Sequence, residues 1–274
     1  MNDPVALDAA EPVDPGEALD GKVAIVTGAS GDDDGLTNGR AAAILLGRAG
    51  AAVVCVGRRS GPAERTAEMI EADGGSAIAV AADVADDDDC ARVVHAAIDA
   101  YGRLDLLDNN VGIPFTGSVV SAPTEAWTQS WQVNVESMVS MSRHAIPAMC
   151  RTAGGGAIVN ISSMRALRPI DEAPYATTKG AVISLTKAMA VAHGRDGIRV
   201  NCVVIGPVFT SSPLGRSMTA EQRERRRTAS LLGIEGTSWD TANAVRFLLS
   251  ERARFITGQV LAVDGGVALT SAAR

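Results

Sequence analysis

The sequence predicts an α/β fold, a single domain on a doubly wound parallel sheet of about seven strands. Three observations carry this. Short apolar runs rich in Val and Ile alternate with helical stretches from about Lys22 onward; such strand–crossover–strand units have right-handed connections and give a parallel sheet covered on both faces. Glycines punctuate the ends of these runs, where the chain must turn. The 274 residues suffice for one large core, and with aromatics at only 3% that core must come from Ala, Val, Ile and Leu.

Residues 1–20 hold three prolines and six acids and are expected to form a disordered acidic tail, leaving 21–270 as the folded domain. "KVAIVTG" is the first strand, "GRAAAILLGRAG" the first helix and "AAVVCVG" the second strand. "AERTAEMIEADGG" is an amphipathic helix closed by a glycine pair, and "SAIAVAADV" the third strand. "DDDCARVVHAAIDAYG" is a helix with acids in its first turn, as the helix dipole favours. "LDLLDNNVG" is the fourth strand. One long helix is expected over "TEAWTQSWQVNVESMVSMSRHAIPAMC", followed by the strand "GAIVNISS". The helix "PYATTKGAVISLTKAMAVAHG" and the strands "IRVNCVVIGPV" and "GQVLAVDGG" complete a Rossmann-like arrangement with no internal repeat.

Bulk properties exclude several functions. The net charge of −7 gives no support for nucleic-acid or anionic-membrane binding. The sequence shows no signal-peptide pattern and no apolar run of ~18 residues, so a cytoplasmic location is expected. Cys55, Cys90, Cys150 and Cys202 are scattered and read as free thiols, and His95, His144 and His193 are isolated; no metal site is expected.

Gly28 stands where the first strand must turn into a helix, a place where bare backbone can approach a pyrophosphate resting on the helix N-terminus. Gly39 opens that helix and Asn38 is a candidate N-cap. Between them lie Asp32, Asp33 and Asp34, which would repel a phosphate. Residues 31–36 are therefore expected to bulge into solvent, leaving Gly28, Ser30, Asn38 and Gly39 as the cradle. At the end of the second strand an acid would accept a ribose 2′-hydroxyl. Arg58 and Arg59 stand there instead, suited to gripping a 2′-phosphate, so NADP is favoured and NAD is possible.

Tyr175 and Lys179 are four apart on a predicted helix and share a face. A phenol with a pKa near ~10 is a poor base at neutral pH; a cation one turn away is expected to favour the phenolate and lower that value. Ser163, twelve residues upstream at a strand end, could hydrogen-bond a substrate oxygen, and Asn134 could anchor a relay to Lys179.

In order and spacing, several motifs together resemble the short-chain dehydrogenase/reductase family from about Lys22 to Leu269. They are TG at Thr27–Gly28, DV at Asp83–Val84, NNVG at 109–112, VNV around Asn134, ISS ending at Ser163, YATTK, GPV at 206–208 and ITGQVLAVDGG. The resemblance implies that Tyr175 is the catalytic acid/base, that Lys179 also holds the nicotinamide ribose, that Ser163 positions the reacting oxygen and that Asn134 completes a proton relay. It implies further that Asp83 and Val84 meet the adenine, that Asn110, within the NNVG motif that ends at Gly112, packs at the ribose, and that Val208 contacts the carboxamide. The family's Ser–Tyr separation of thirteen points to Ser162, whereas alignment of the preceding strand favours Ser163, which we take. The chain departs from the family in Val111 (usually Ala), in Ile205 before GPV, in Asp108 where an apolar residue is usual, and in a glycine spacing of eleven rather than six. Asp108, if buried, needs a partner. Arg223, Arg225, Arg226 and Arg227, in a region that forms a lid in the family, read as a solvated helix face or as an attraction for an acidic substrate.

These readings predict an oxidoreductase that interconverts a secondary alcohol and a ketone with NADP(H). It would bind no nucleic acid or membrane and would form a homo-oligomer, tetramer or dimer, by resemblance. An NAD-dependent dehydrogenase of the same family and a non-catalytic dinucleotide-binding regulator are the alternatives.

Overall fold

The computed structural model describes residues 18–31 and 34–270. The expected N-terminal tail falls almost wholly outside these residues, as do Asp32 and Asp33. Strands β1 (Val23–Thr27), β2 (Ala52–Gly57), β3 (Ser76–Ala81), β4 (Leu106–Asn109), β5 (Gly156–Ser163) and β6 (Ile198–Ile205) alternate with helices α1 (Asn38–Arg48), α2 (Ser60–Ala72), α3 (Asp87–Tyr101), α4 (Thr124–Trp131), α5 (Ser137–Ala153) and α6 (Ala173–His193). The segment that the resemblance makes a lid follows, with a two-residue strand β7 (Val208–Phe209), a short helix α7 (Pro213–Arg216), helix α8 (Ala220–Ala229) and strand β8 (Gly236–Thr237). Helix α9 (Ser238–Leu249) and strand β9 (Val260–Val263) complete the fold.

The seven long strands form one sheet in the order β3-β2-β1-β4-β5-β6-β9, every adjacent pair parallel. All five residues of β1 are buried, because both sheet faces are covered; its apolar run is therefore continuous rather than alternating. Ala24 and Val26 pack with α1 and α9 on one face, while Val23 and Ile25 pack with α3 and α5 on the other. Strand order reverses between β1 and β4, and the diverging crossovers open a crevice at the carboxyl ends of these strands.

Three local features differ from expectation. The long helix is interrupted by a π-helical turn at Gln132–Glu136, which contains Asn134; such turns insert a residue and turn side chains inward. Thr37, not Asn38, caps α1, its hydroxyl accepting from the Arg40 N–H at 3.3 Å. Both residue types are good caps, and sequence does not rank neighbours. The β7–β8 pair and α9 were not expected, although the Asp240 carboxylate, accepting from both the N–H and the hydroxyl of Thr237, is a readable helix start. Among the described residues no helix is long and apolar enough to cross a membrane, and no cluster of metal-ligating side chains occurs. The four cysteines are free.

Candidate active site

The crevice has two joined parts. One is lined by Gly28, Ser30, Thr37, Arg58, Asp83, Val84, Asn110 and Gly112. The other is lined by Asn38, Asn110, Gly112, Ser163, Tyr175, Lys179 and Val208, together with lid residues. Two expected site residues lie behind the wall rather than on it. Gly39 packs beneath the loop, where a Cβ would collide with the Gly28 carbonyl, and Asn134 is fully buried. A larger cavity of 710 Å³ lies at the opposite end of the sheet and is lined by none of the expected site residues.

The first part is made mostly of backbone. Gly28 has φ +70°, a conformation that disfavours any side chain. The Thr27 hydroxyl accepts from the Asn110 N–H at 2.9 Å and so ties β1 to the loop after β4. The inserted loop is held by Arg40, which is completely buried. Its guanidinium donates to the carbonyl oxygens of Gly35 at 2.7 Å and Pro62 at 3.2 Å, and to the Thr66 hydroxyl at 3.0 Å. The loop's Asp34 turns outward and pairs with Arg65 at 2.7 Å on the surface. Arg58 lies exposed beside Gly57, and the first turn of α2 contains no acid. Asp83 stabilises its own turn by accepting from the Ala85 N–H at 3.0 Å.

In the second part side chains are fixed. The Ser162 hydroxyl is buried and donates to the Lys179 carbonyl at 2.7 Å, which turns it away from the crevice. Ser163 stands on the other side of the strand, on the crevice lining with Tyr175, and accepts from the Arg165 N–H at 3.2 Å. The alternation of side chains along β5 puts the two hydroxyls on opposite sides of the strand. The Lys179 ammonium donates to the Ile161 carbonyl at 2.9 Å and lies 5.8 Å from the Tyr175 ring centre. Asn134 donates to the Ile113 carbonyl at 3.0 Å and accepts from the Ile113 N–H at 2.8 Å. It therefore holds the chain just after Gly112, where a Cβ would lie 2.7 Å from the Lys179 nitrogen.

The electrostatics differ from the simple expectation for Tyr175 and Lys179. Burial pushes the Tyr175 phenol above its ordinary pKa. The neighbouring Ser163 hydroxyl opposes this, Glu172 adds to it, and Arg165 opposes it again. Burial also pulls Lys179 down to about 8, with Cys202 opposing. Desolvation disfavours both charges; among these local causes it is Ser163 and Arg165 that favour the phenolate.

Asp108 is completely buried on β4, between Val26 and Val159. One carboxyl oxygen accepts from the Asn110 side chain at 3.0 Å, and the other has no partner among the described residues. Burial raises its pKa to about 7 against that hydrogen bond.

The residues present suit a dinucleotide. Gly28 exposes bare backbone to the crevice at the start of α1, and Gly39 lets the loop pack closely on that helix. The buried side-chain oxygen of Asn38 has no partner among the described residues, so a ligand hydroxyl satisfies it as it stands, and a phosphate oxygen once the amide is turned over. Sequence reasoning missed Thr37 and the lid-side residues Glu172, Thr210 and Met218, which only the folded chain brings to the crevice.

A parallel sheet with a glycine crevice at its switch point and a Ser–Tyr–Lys group on its wall defines a dinucleotide-linked oxidoreductase class. Comparison with known proteins gives the family. A family model described as enoyl-(acyl carrier protein) reductase matches residues 37–268. L-rhamnose 1-dehydrogenase (NAD(P)(+)) of Sphingomonas sp. strain SKA58 is 36% identical over 251 residues, covering 91% of this chain and 97% of that protein. An inactive 2-(S)-hydroxypropyl-CoM dehydrogenase 2 of Xanthobacter autotrophicus is 41% identical over 226 residues, covering 80% and 96%. The crystal structure of a short-chain dehydrogenase/reductase from Burkholderia xenovorans superposes with TM-score 0.87 at 35% identity, covering 93% and 99%. The chain belongs to the short-chain dehydrogenase/reductase family.

Proposed function

We propose that this protein interconverts a secondary alcohol and a ketone, with NADP(H) preferred over NAD(H). The observation that carries the reading is that Ser163, Tyr175 and Lys179 line the same part of the crevice, with Tyr175 and Lys179 one helical turn apart on α6. The nicotinamide cofactor, when bound, supplies or accepts the hydride. Tyr175 gives its phenolic proton to the substrate oxygen in reduction and takes it back in oxidation. Ser163 donates to the same oxygen and stabilises the charge developing on it. Lys179, held by the Ile161 carbonyl, binds the ribose, and Asn134 keeps the adjoining backbone in place for proton exchange. Gly28, Ser30, Asn38 and Gly39 form the phosphate cradle. Asp83, Val84 and Asn110 line the nucleoside part, with Gly112 closely packed against Lys179 and Val208 at the carboxamide.

Preference for NADP rests on Arg58 beside the acid-free start of α2. A guanidinium and helix N–H groups together favour a 2′-phosphate. The test is NADPH and NADH oxidation across a ketone panel with the unmodified protein and Arg58→Asp. We expect kcat/KM to favour NADPH by about tenfold or more and the variant to lose that preference. Equal use of both cofactors, unaltered by the substitution, would remove Arg58 from the site.

A further inference from the structure

We propose that the substrate carries an oxyanion, a carboxylate or sulfonate, held by Arg165 and Arg226 at the lid end of the crevice while its carbonyl meets Tyr175. This rests on the alcohol/ketone reading above and names the substrate class for that site.

Both arginines line the same part of the crevice as Ser163 and Tyr175, and each is placed by the fold rather than left on a mobile surface. Arg165 sits in the single turn Met164–Ala166, and its backbone N–H donates to the Ser163 hydroxyl at 3.2 Å. The serine and the guanidinium are thus offered from one short, rigid segment. The Arg165 side chain is 30% exposed and meets Glu172 through Nε at 3.2 Å; no bond of its two terminal nitrogens occurs among the described residues. Arg226 comes from α8, whose start is fixed by the Thr219–Gln222 capping box. Its side chain is 20% exposed. It donates to the Val208 carbonyl at 2.6 Å and the Met218 sulfur at 2.7 Å.

The charges here do not balance. Arg165, Arg223 and Arg226 face two carboxylates, Glu172 and Glu235, and Glu235 serves two arginines at 2.9 and 3.4 Å. Burial holds Arg226 below its usual pKa; Glu235 opposes this, while Arg223 and Arg165 add to it by repulsion. A half-buried site with one surplus cation is costly when empty and gains when an anion enters. The chain as a whole carries −7, so this surplus is not the consequence of a basic chain. Met164, Met218 and Pro207 lie on the same wall and suit an apolar body joining the carbonyl to the oxyanion.

The rival reading makes Arg226 a latch that pins α8 onto β7. The two separate by matched substrates on the cofactor-loaded protein. Levulinate, its two next longer oxo-acid homologues and the corresponding oxo-sulfonates would be assayed with NADPH against the methyl ester of each oxo acid. At least one anion should exceed its ester in kcat/KM by about tenfold. Arg226→Gln and Arg165→Gln should lower the anion's value about tenfold more than the ester's, mainly through KM, and Arg226→Lys should restore part of the difference. Esters used as well as acids, or variants that impair both alike, would overturn the proposal and favour the latch. If no ketone is turned over at all, the alcohol/ketone reading fails by itself. Calorimetric titration of the NADPH-loaded protein with levulinate and methyl levulinate then decides this inference. Tighter acid binding that Arg226→Gln abolishes supports it, and equal binding overturns it.

Discussion

The two halves of the crevice solve different problems with different materials. Around Ser163, Tyr175 and Lys179 the working atoms are side chains, with Lys179 tied to the Ile161 carbonyl of β5 and Ser163 to the Arg165 N–H, and Ser162 shows that a shift of one residue sends the hydroxyl to the Lys179 carbonyl instead. Around Gly28 and Gly39 the working atoms are backbone, and the loop between them has gained residues without closing the crevice. A proton-transferring group tolerates little displacement. A cradle of N–H groups needs only its two ends in place, so an insertion is accommodated wherever something holds its base. Here that holder is Arg40.

The sharpest way to separate the halves is Tyr175→Phe. It keeps the ring and removes one oxygen. Turnover should fall by about a hundred- to ten-thousand-fold, while NADPH affinity, measured by fluorescence titration, stays within a few-fold. Loss of cofactor binding together with turnover would mean that the halves are not independent.

Asp108 lies between them, on β4 beneath Asn110. Its folded-state pKa of about 7 exceeds the ordinary 3.8, so the folded chain holds this proton more tightly than the unfolded chain. Stability from this group is present at low pH and is lost as pH rises from about 4 to about 7, by up to about 4 kcal/mol. Asp108→Asn should remove that slope, leaving the variant more stable than the parent at pH 8 in a thermal-melt series. A parent whose Tm does not fall over this range would mean that the carboxyl has found a charge partner.

Arg40→Met tests the holder. It removes the guanidinium bonds to the half-buried Gly35 and Pro62 carbonyls and to the buried Thr66 hydroxyl, and should cost about 3 kcal/mol, a drop in Tm of roughly 10 °C. NADPH affinity should fall with it, whereas kcat at saturating cofactor should change little, since the residues around Tyr175 are bonded elsewhere.

The same contrast explains what the sequence could and could not disclose. Strands β1 to β6 were legible because parallel strands covered on both faces are continuous apolar runs, and the YATTK helix because residues four apart share a face. The directions of the Ser162 and Ser163 hydroxyls depend on which side of β5 each occupies, which a strand's register fixes and a count of residues to Tyr175 does not. The π-turn at Asn134 has no local signature, and the bonds between Asn134 and Ile113, 21 residues apart, form only in the folded chain. The direction of the Tyr175 shift was misread because a neighbouring cation was weighed and burial was not. Arg40 looked like an ordinary helix residue, since its partners at Gly35, Pro62 and Thr66 are assembled only by folding.

The smallest expected effect concerns the loop's charge. Three aspartates near a pyrophosphate would oppose it if they pointed inward. Asp34 points out, with its side chain 69% exposed and paired to Arg65; solvent and salt screen such a charge from the crevice. Asp34→Asn should therefore leave both Tm and the Kd for NADPH at the parent's values, at low and at physiological ionic strength alike. A marked tightening of NADPH binding at low salt would show that the carboxylate acts on the phosphate site after all. The insertion would then be a brake on cofactor binding instead of a bystander, and the independence of the loop from the cradle it interrupts would have to be given up.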